Sequence, residues 1–341
     1  MTSLTATSLS FLTNIPPVSR SSAIERAINV LEQAALYSEG KGISDPPLQA
    51  KRQDFLLAIE QEVHAVRSRL DRILLGSHAQ DGLELLAQNG SLSAIFPEVQ
   101  AMVGFGDGEW RHKDVWKHTK QVVAQAVCRL EIRWAALFHD IGKTKTRSIS
   151  PEGKVHFLGH AEVGARMFDK LDQRIALFAA HKDTALKKSI RFLVLHHLRA
   201  NQYTSSWTDS AVRRFGREFA NHWDDLLCLS RADITTKRPH KKRQGLAQLD
   251  ELEARVYQLR LEDSKVPPLP SGIGEQVMLR FGLRPSPQVG YIKKALLQAI
   301  DLGEIEAHQS ADCYIAFIEQ HTARFLPTEN QSNLLQESSL L

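Results

Sequence analysis

ALFHDIGKTKTR, residues 136–147, joins the end of an apolar run to a histidine, an aspartate, a glycine turn and a lysine. Just upstream, Ile132, Ala135, Ala136 and Phe138 recur at helical spacing, so His139 and Asp140 fall where a buried helix ends. Such an end is where a helical bundle can aim polar side chains from its core into one water-accessible pocket. Other segments share this character: His118 in DVWKHTKQVV, His160 in HFLGHAEVGARM, His196 and His197 in FLVLHHLR, and Asp233 in LSRADITTK. Each stands at or near the end of an apolar helical run. Singly, such a histidine is ordinarily a hydrogen-bonded core residue, and Asp233 reads as a helix cap. The order H, HD, H, H, D over 116 positions gives the set a chemical meaning.

Neutral imidazoles mixed with carboxylates suit borderline to hard divalent ions such as Mg²⁺, Mn²⁺, Fe²⁺, Ni²⁺ or Zn²⁺. A mixed His/Asp set also leaves coordination positions for water, which hydrolytic metal catalysis requires. Ile190, Leu193, Val194 and His197 share one helical face, so His197 rather than His196 is expected to emerge from the packed side. Lys143 follows the His-Asp pair by one turn, where a cation stabilises phosphoryl charge. Arg147 and Arg199 are further candidates, with an ordinary solvated surface as the competing reading. His112 and Asp114 fall close enough to His118 to reach a pocket rim. Trp110 and Trp116 read as core or as a stacking surface.

The 341 residues carry 43 Lys+Arg against 39 Asp+Glu, a formal charge of +4. That excess is local. Arg231–Arg243 (RADITTKRPHKKR) carries a net +5, leaving −1 for all other residues. Lys237, Arg238, Lys241, Lys242 and Arg243 would project beside Asp233 and attract phosphate without reading sequence. With 43% hydrophobic residues a substantial core forms, and no window offers the roughly 20 apolar residues a membrane span needs. Three scattered cysteines exclude a thiolate zinc site and suit a reducing compartment, so cytoplasm is the expected location.

Helical periodicity dominates and strand alternation is scarce, apart from a short ribbon near Ile149–Phe157. The expected organisation is a disordered tail (1–22), a helical neck (23–105), a body holding the His/Asp set (106–262), a C-terminal helical module (263–326) and a frayed end (327–341). Helices are expected over Ala23–Leu36 and Phe55–Leu75, and Asp263–Gly274 reads as a linker.

The series H…HD…D, with His139-Asp140-Ile141-Gly142 spelling HDIG, resembles the HD-domain phosphohydrolase superfamily. KTKTR (143–147), FLGHAEVGA (157–165), LHHLR (195–199) and LSRADITTK (229–237) further resemble the HD body of bacterial tRNA nucleotidyltransferase/poly(A) polymerase-like proteins. LDRILLGSHAQDGLELLAQNGSLSAIFPEV resembles their neck, and LPSGIGEQVMLRFGLRPSPQVGYIKKALLQAIDLGEI their C-terminal region. The likeness covers about residues 55–308. The Gly-Ser turn and D-x-D pair of their nucleotidyltransferase head have no counterpart in the first 55 residues. HD-GYP cyclic di-nucleotide hydrolases fit less well, because LRANQY follows His197. Guanosine tetraphosphate hydrolases also fit less well, because Lys143-Thr144 replaces their acidic pair.

The resemblance implies an all-α HD-domain bundle with metal ligands His118, His139, Asp140 and Asp233. His160 and His197 would complete a second ion's site with Asp140 as bridge; with a single ion they would contact phosphate or leaving group. Asp140 and Lys143 would carry catalysis, on one or two divalent ions. The expected activity is hydrolysis of nucleotide or RNA-end phosphates, of 2′,3′-cyclic phosphodiesterase, 2′-nucleotidase or phosphatase type. The alternatives are a tRNA- or RNA-binding module with a structural metal, and an HD subunit partnering a separate nucleotidyltransferase head. Oligomeric state is left open.

Overall fold

The computed structural model describes residues 17–42, 46–106, 114–178 and 183–326. The chain is all-α; among the described residues its strands are one two-residue pair. The helices are α1 (Pro17–Ser38), α2 (Arg52–Gln61), α3 (Val63–Leu75), α4 (Ala79–Gln88), α5 (Ser91–Ile95), α6 (Pro97–Gln100), α7 (Val115–Gln125), α8 (Leu130–Phe138) and α9 (Lys143–Thr146). The pair β1 (Ser148–Ile149) and β2 (Val155–His156) is antiparallel, with Ile149 opposite Val155. Then come α10 (His160–Ile175), α11 (Thr184–His196), α12 (Asp209–Glu218), α13 (Trp223–Asp233), α14 (Pro239–Lys265), α15 (Ile273–Phe281), α16 (Pro287–Asp301), α17 (Ala311–Gln320) and α18 (Thr322–Phe325).

Several boundaries differ from expectation. The expected tail, 1–22, overlaps α1 at 17–22, because helix runs back to Pro17, a residue tolerated in a first turn. Its residues 1–16, and the expected frayed end 327–341, lie outside the described residues. Phe55–Leu75 is two helices broken at Glu62, whose φ of −132° and ψ of 40° leave the helical region. The short ribbon is present, spanning Ser148–His156, one residue earlier than expected. The expected linker begins three residues later than Asp263, since α14 continues to Lys265.

Two compact units form, and they divide the chain at other places than the expected neck, body and tail. One comprises the chain up to Gln202 with His222–Leu249; the other comprises Tyr203–Asn221 with the chain from Asp250 onward. Tertiary packing explains why α12 groups with the C-terminal part. A Cβ on Gly216 would lie 2.8 Å from Val256, so the α12 backbone sits directly on α14. Arg255 donates to the Tyr203 hydroxyl (3.1 Å) and to Asp209 (2.7 Å), fastening the same two helices.

In the first unit, α8 is buried along its length, from Ile132 to Phe138. Trp134 and Phe138 stack with centroids 5.6 Å apart, and Phe96 and Phe178 meet Trp134 edge-on. The Trp134 indole donates to Asp71 at 2.7 Å, so its one polar atom is satisfied inside the core. Arg67 binds the same carboxylate at 2.7 Å and lies over Phe178, 4.6 Å from its centroid. This packing holds the C-terminal end of α8 rigidly. The second unit has its own core around Val277, Ile292, Leu296, Tyr314 and Ile318.

Candidate metal centre

The apolar residues of α8 bury it on every side, so the two residues that follow are carried into the core with it. His139 and Asp140 are each 1% exposed. The chain then turns at Gly142, where a Cβ would lie 2.0 Å from the His160 carbonyl oxygen and 2.7 Å from the Gly164 nitrogen. Glycine therefore permits backbone-to-backbone contact between the HD turn and the start of α10, which brings His160 to Asp140. His118 comes from the first turn of α7, which Asp114 caps by accepting from the Lys117 amide at 3.0 Å. His197 follows the last turn of α11 and Asp233 ends α13.

Five segments thus deliver six donors into one cluster, which resolves into two trios. His118, His139 and Asp233 form one; Asp140, His160 and His197 form the other; within each trio the donor atoms lie within 4.8 Å of one another. His118 Nε2 is 2.9 Å from Asp233 Oδ1 and 3.3 Å from His139 Nε2. His160 Nε2 is 3.2 Å from His197 Nε2. Asp140 spans both trios. Its Oδ2 lies 3.2 Å from His139 Nε2 and 3.5 Å from His118 Nε2, while its Oδ1 lies 3.5 Å from His160 Nε2 and 3.9 Å from His197 Nε2.

The far sides of the rings fix their protonation. His139, His160 and His197 each place Nδ1 2.8 Å from a backbone carbonyl, those of Ala136, Phe157 and Val194. A carbonyl only accepts, so each Nδ1 carries the proton and donates. In the neutral ring this leaves the Nε2 lone pair aimed inward. Two such lone pairs 3.2 Å apart repel unless a positive charge lies between them. His118 Nδ1 meets the Thr235 hydroxyl at 2.8 Å, which orients this ring while leaving either atom able to donate. A second partner orienting a ligand histidine is a recurrent feature of metal sites.

Charge makes the same demand. Burial acts to raise the Asp140 carboxyl, but His139, Lys143 and His118 hold it well below the usual carboxylate range. Burial likewise opposes ionisation of Asp233, yet His118 above all holds it down at about 2. Burial lowers His197 to about 4, helped by His139, and burial also lowers His160. For His139 burial is the largest influence and disfavours charge, but Asp140 and Asp233 raise it beyond the ordinary value. Among the described residues, Lys143 is the one Lys or Arg paired with either carboxylate, its Nζ 2.6 Å from Asp140 Oδ2. Buried carboxylates held ionised need cationic partners, a need that Lys143, a charged imidazole or a bound divalent ion can meet. Donors around an ion with bonds of about 2.1 Å would sit roughly 3.0–3.4 Å apart, close to the spacing here. The donor set fits a divalent cation.

The segment 115–236 matches the family model for the HD domain. The chain contains an HD domain. Among the proteins it resembles are tRNA nucleotidyltransferases. The chain is similar to the CC-adding tRNA nucleotidyltransferase of Thermus thermophilus, 34% identical over 261 residues, which are 74% of this chain and 56% of that protein. It is 31% identical over 258 residues to the A-adding tRNA nucleotidyltransferase of Deinococcus radiodurans, covering 73% and 57% of the two chains. The multifunctional CCA protein of Pseudomonas fluorescens is 28% identical over 170 residues, covering 46% and 39%. The chain therefore spans about half the length of the curated relatives it matches.

The other candidates fall at varied places in and around the HD domain. His196 turns to Phe192, with ring centroids 4.5 Å apart, and is outside the six-residue cluster. Arg147 is exposed just after α9, and Arg199 is half-buried two residues beyond His197. Asp114 is an exposed cap. Trp116 is buried and its indole donates to Glu84 at 3.1 Å, so it belongs to the core. Trp110 and His112 lie outside the described residues. Lys237, Arg238, Lys241, Lys242 and Arg243 are all exposed, at and just before the start of α14. Thr235 is the residue that sequence reasoning passed over. A threonine two residues beyond a helix-ending aspartate reads as a cap, and its contact with His118 spans 117 positions. Among the described residues, no helix is long and apolar enough to cross a membrane.

Proposed function

We propose that this chain is a metal-dependent phosphohydrolase acting on nucleotide or RNA-end phosphates, of 2′,3′-cyclic phosphodiesterase, 2′-nucleotidase or phosphatase type. The observation that carries this reading is Asp140: one buried carboxylate faces two imidazoles through each oxygen, and a lysine besides. His118, His139, Asp140 and Asp233 would hold one divalent ion, and Asp140, His160 and His197 a second. Such ions supply Lewis-acid polarisation of phosphoryl oxygens and a water nucleophile at neutral pH. The chain's own groups do the rest. Four Nδ1 contacts fix the imidazoles, so no reorganisation is needed when the phosphate arrives. Lys143, 22% exposed at its side chain, can leave Asp140 for a phosphoryl oxygen. The exposed cations at 237–243 draw a polyanion toward the Asp233 end of the site.

The test is turnover by metal-loaded protein, offered 2′,3′-cyclic nucleotides, 2′-nucleotides and phosphorylated RNA ends. Release of phosphate or opening of the cyclic ester is expected with wild type and is expected to vanish in Asp140→Ala. Equal rates in the two proteins, or none with any divalent metal, would overturn the reading. The likeness to tRNA nucleotidyltransferases favours a second reading, in which the chain binds tRNA, alone or beside a separate nucleotidyltransferase head, and the metal is structural. Tight tRNA binding without turnover would favour it.

A further inference from the structure

Phe157 lies three residues before His160, at the end of the β1–β2 hairpin, and the hydrolytic reading leaves it without a task. Its carbonyl accepts the His160 Nδ1–H at 2.8 Å, so its backbone is fixed to the candidate metal centre. Its ring is half-buried rather than enclosed. Phe105 lies against it with centroids 6.3 Å apart and planes tilted by 55°. Lys143 Nζ stands 5.7 Å from its centroid while also reaching Asp140 at 2.6 Å. Leu158, the next residue, is 80% exposed, and Ile149 on the paired strand is 59% exposed. A half-buried aromatic ring next to a lysine that reaches the buried carboxylate suits a ligand that is aromatic at one end and anionic at the other.

A nucleotide has that form. One ribose separates its base from a 2′- or 3′-phosphate, so a cation for the phosphate and a ring for the base must be near neighbours. Lys143 and Phe157 are such a pair. We infer that Phe157, backed by Phe105, is a stacking platform for the nucleobase, and that the site selects nucleoside-bearing phosphates over base-free phosphate esters. The inference rests on the phosphohydrolase reading and names its substrate class. Aromatic faces stack on every base, so selection among bases is expected to be weak. Phe157 acts on specificity, with no part in bond making or breaking.

The test separates base recognition from turnover. Equilibrium binding of adenosine 2′-monophosphate and of ribose 2-phosphate is measured by calorimetry in the presence of Mn²⁺, for wild type, Phe157→Leu and Phe157→Tyr. In wild type the nucleotide is expected to bind roughly 5- to 100-fold more tightly, the range that base–aromatic stacking provides. Phe157→Leu keeps an apolar side chain without the ring, and should bring that ratio near one. Phe157→Tyr should restore it. A wild-type ratio near one, or a ratio unchanged in Phe157→Leu, would overturn the inference. So would equal weakening of both ligands in Phe157→Leu, because a purely structural phenylalanine affects them alike. Absence of turnover in metal-loaded wild type, with the binding ratio intact, would instead sink the hydrolytic reading and leave the platform standing.

Discussion

Thr235 lies outside the proposed ligand set and touches one of its members, His118. Buried and 2.8 Å from His118 Nδ1, it aims the opposite nitrogen at Asp233 and His139. Thr235→Val keeps the shape and removes the hydroxyl, and should weaken divalent-metal affinity roughly 10- to 100-fold, as loss of such an orienting partner does. A competition titration against a chromophoric chelator measures it; unchanged affinity would make the contact incidental. The adjacent histidines give a paired comparison. His197→Ala removes a donor from the cluster and should abolish turnover, while His196→Ala, whose ring rests on Phe192, should leave it nearly intact. Periodicity alone separated these two, because Ile190, Leu193 and Val194 mark the packed face of α11 and His197 continues it. The role of Thr235 had no such pattern to betray it.

Between elements, close approach of backbones sets the geometry. The HD turn and the start of α10 touch at Gly142, so Gly142→Ala must push His160 away from Asp140. A loss of about 1–3 kcal/mol in stability is expected, typical of overpacking, together with weaker metal binding. Chemical denaturation and the same chelator titration would check both; an unaltered protein would mean the contact gives way freely. Elsewhere Arg72 on α3 reaches Glu32 at 2.6 Å and Glu39 at 2.7 Å, tying α3 to α1 and the turn after it. Hydrogen bonds from Arg72 and then Lys41 lower the Glu39 pKa to about 2. A carboxylate whose folded pKa is depressed stabilises the fold above its unfolded pKa, and that contribution fades as pH falls. The stability difference between wild type and Glu39→Gln should therefore be present at neutral pH and close between about pH 5 and 2. Because Glu39 is partly exposed, the difference should be modest and reduced by salt.

Taken as a whole, the chain reveals unequal amounts of itself through its sequence. Its all-α class and the six clustered residues were legible, because buried helices leave a 3.6-residue period and metal-site chemistry uses few residue types. The division into two units was not. α14 is a continuous helix whose earlier residues belong to one unit and later ones to the other, and nothing in its periodicity records Gly216 against Val256. The five cations at 237–243 belong to the first unit and have no acidic partner among the described residues. Neutralising Lys241, Lys242 and Arg243 together should flatten the salt dependence of RNA binding by roughly 2 to 3 in log K against log salt. An unchanged slope would reduce the strip to ordinary surface.

All of these expectations turn on whether the two donor trios hold ions. Counting bound divalent metal per chain by elemental analysis, after loading with Mn²⁺ and removing the excess, answers this. The predicted result is two ions in wild type, one in His160→Ala and none in Asp140→Ala, with each variant folded by circular dichroism. Folded wild type that retains no metal, or Asp140→Ala that retains as much as wild type, would contradict the account.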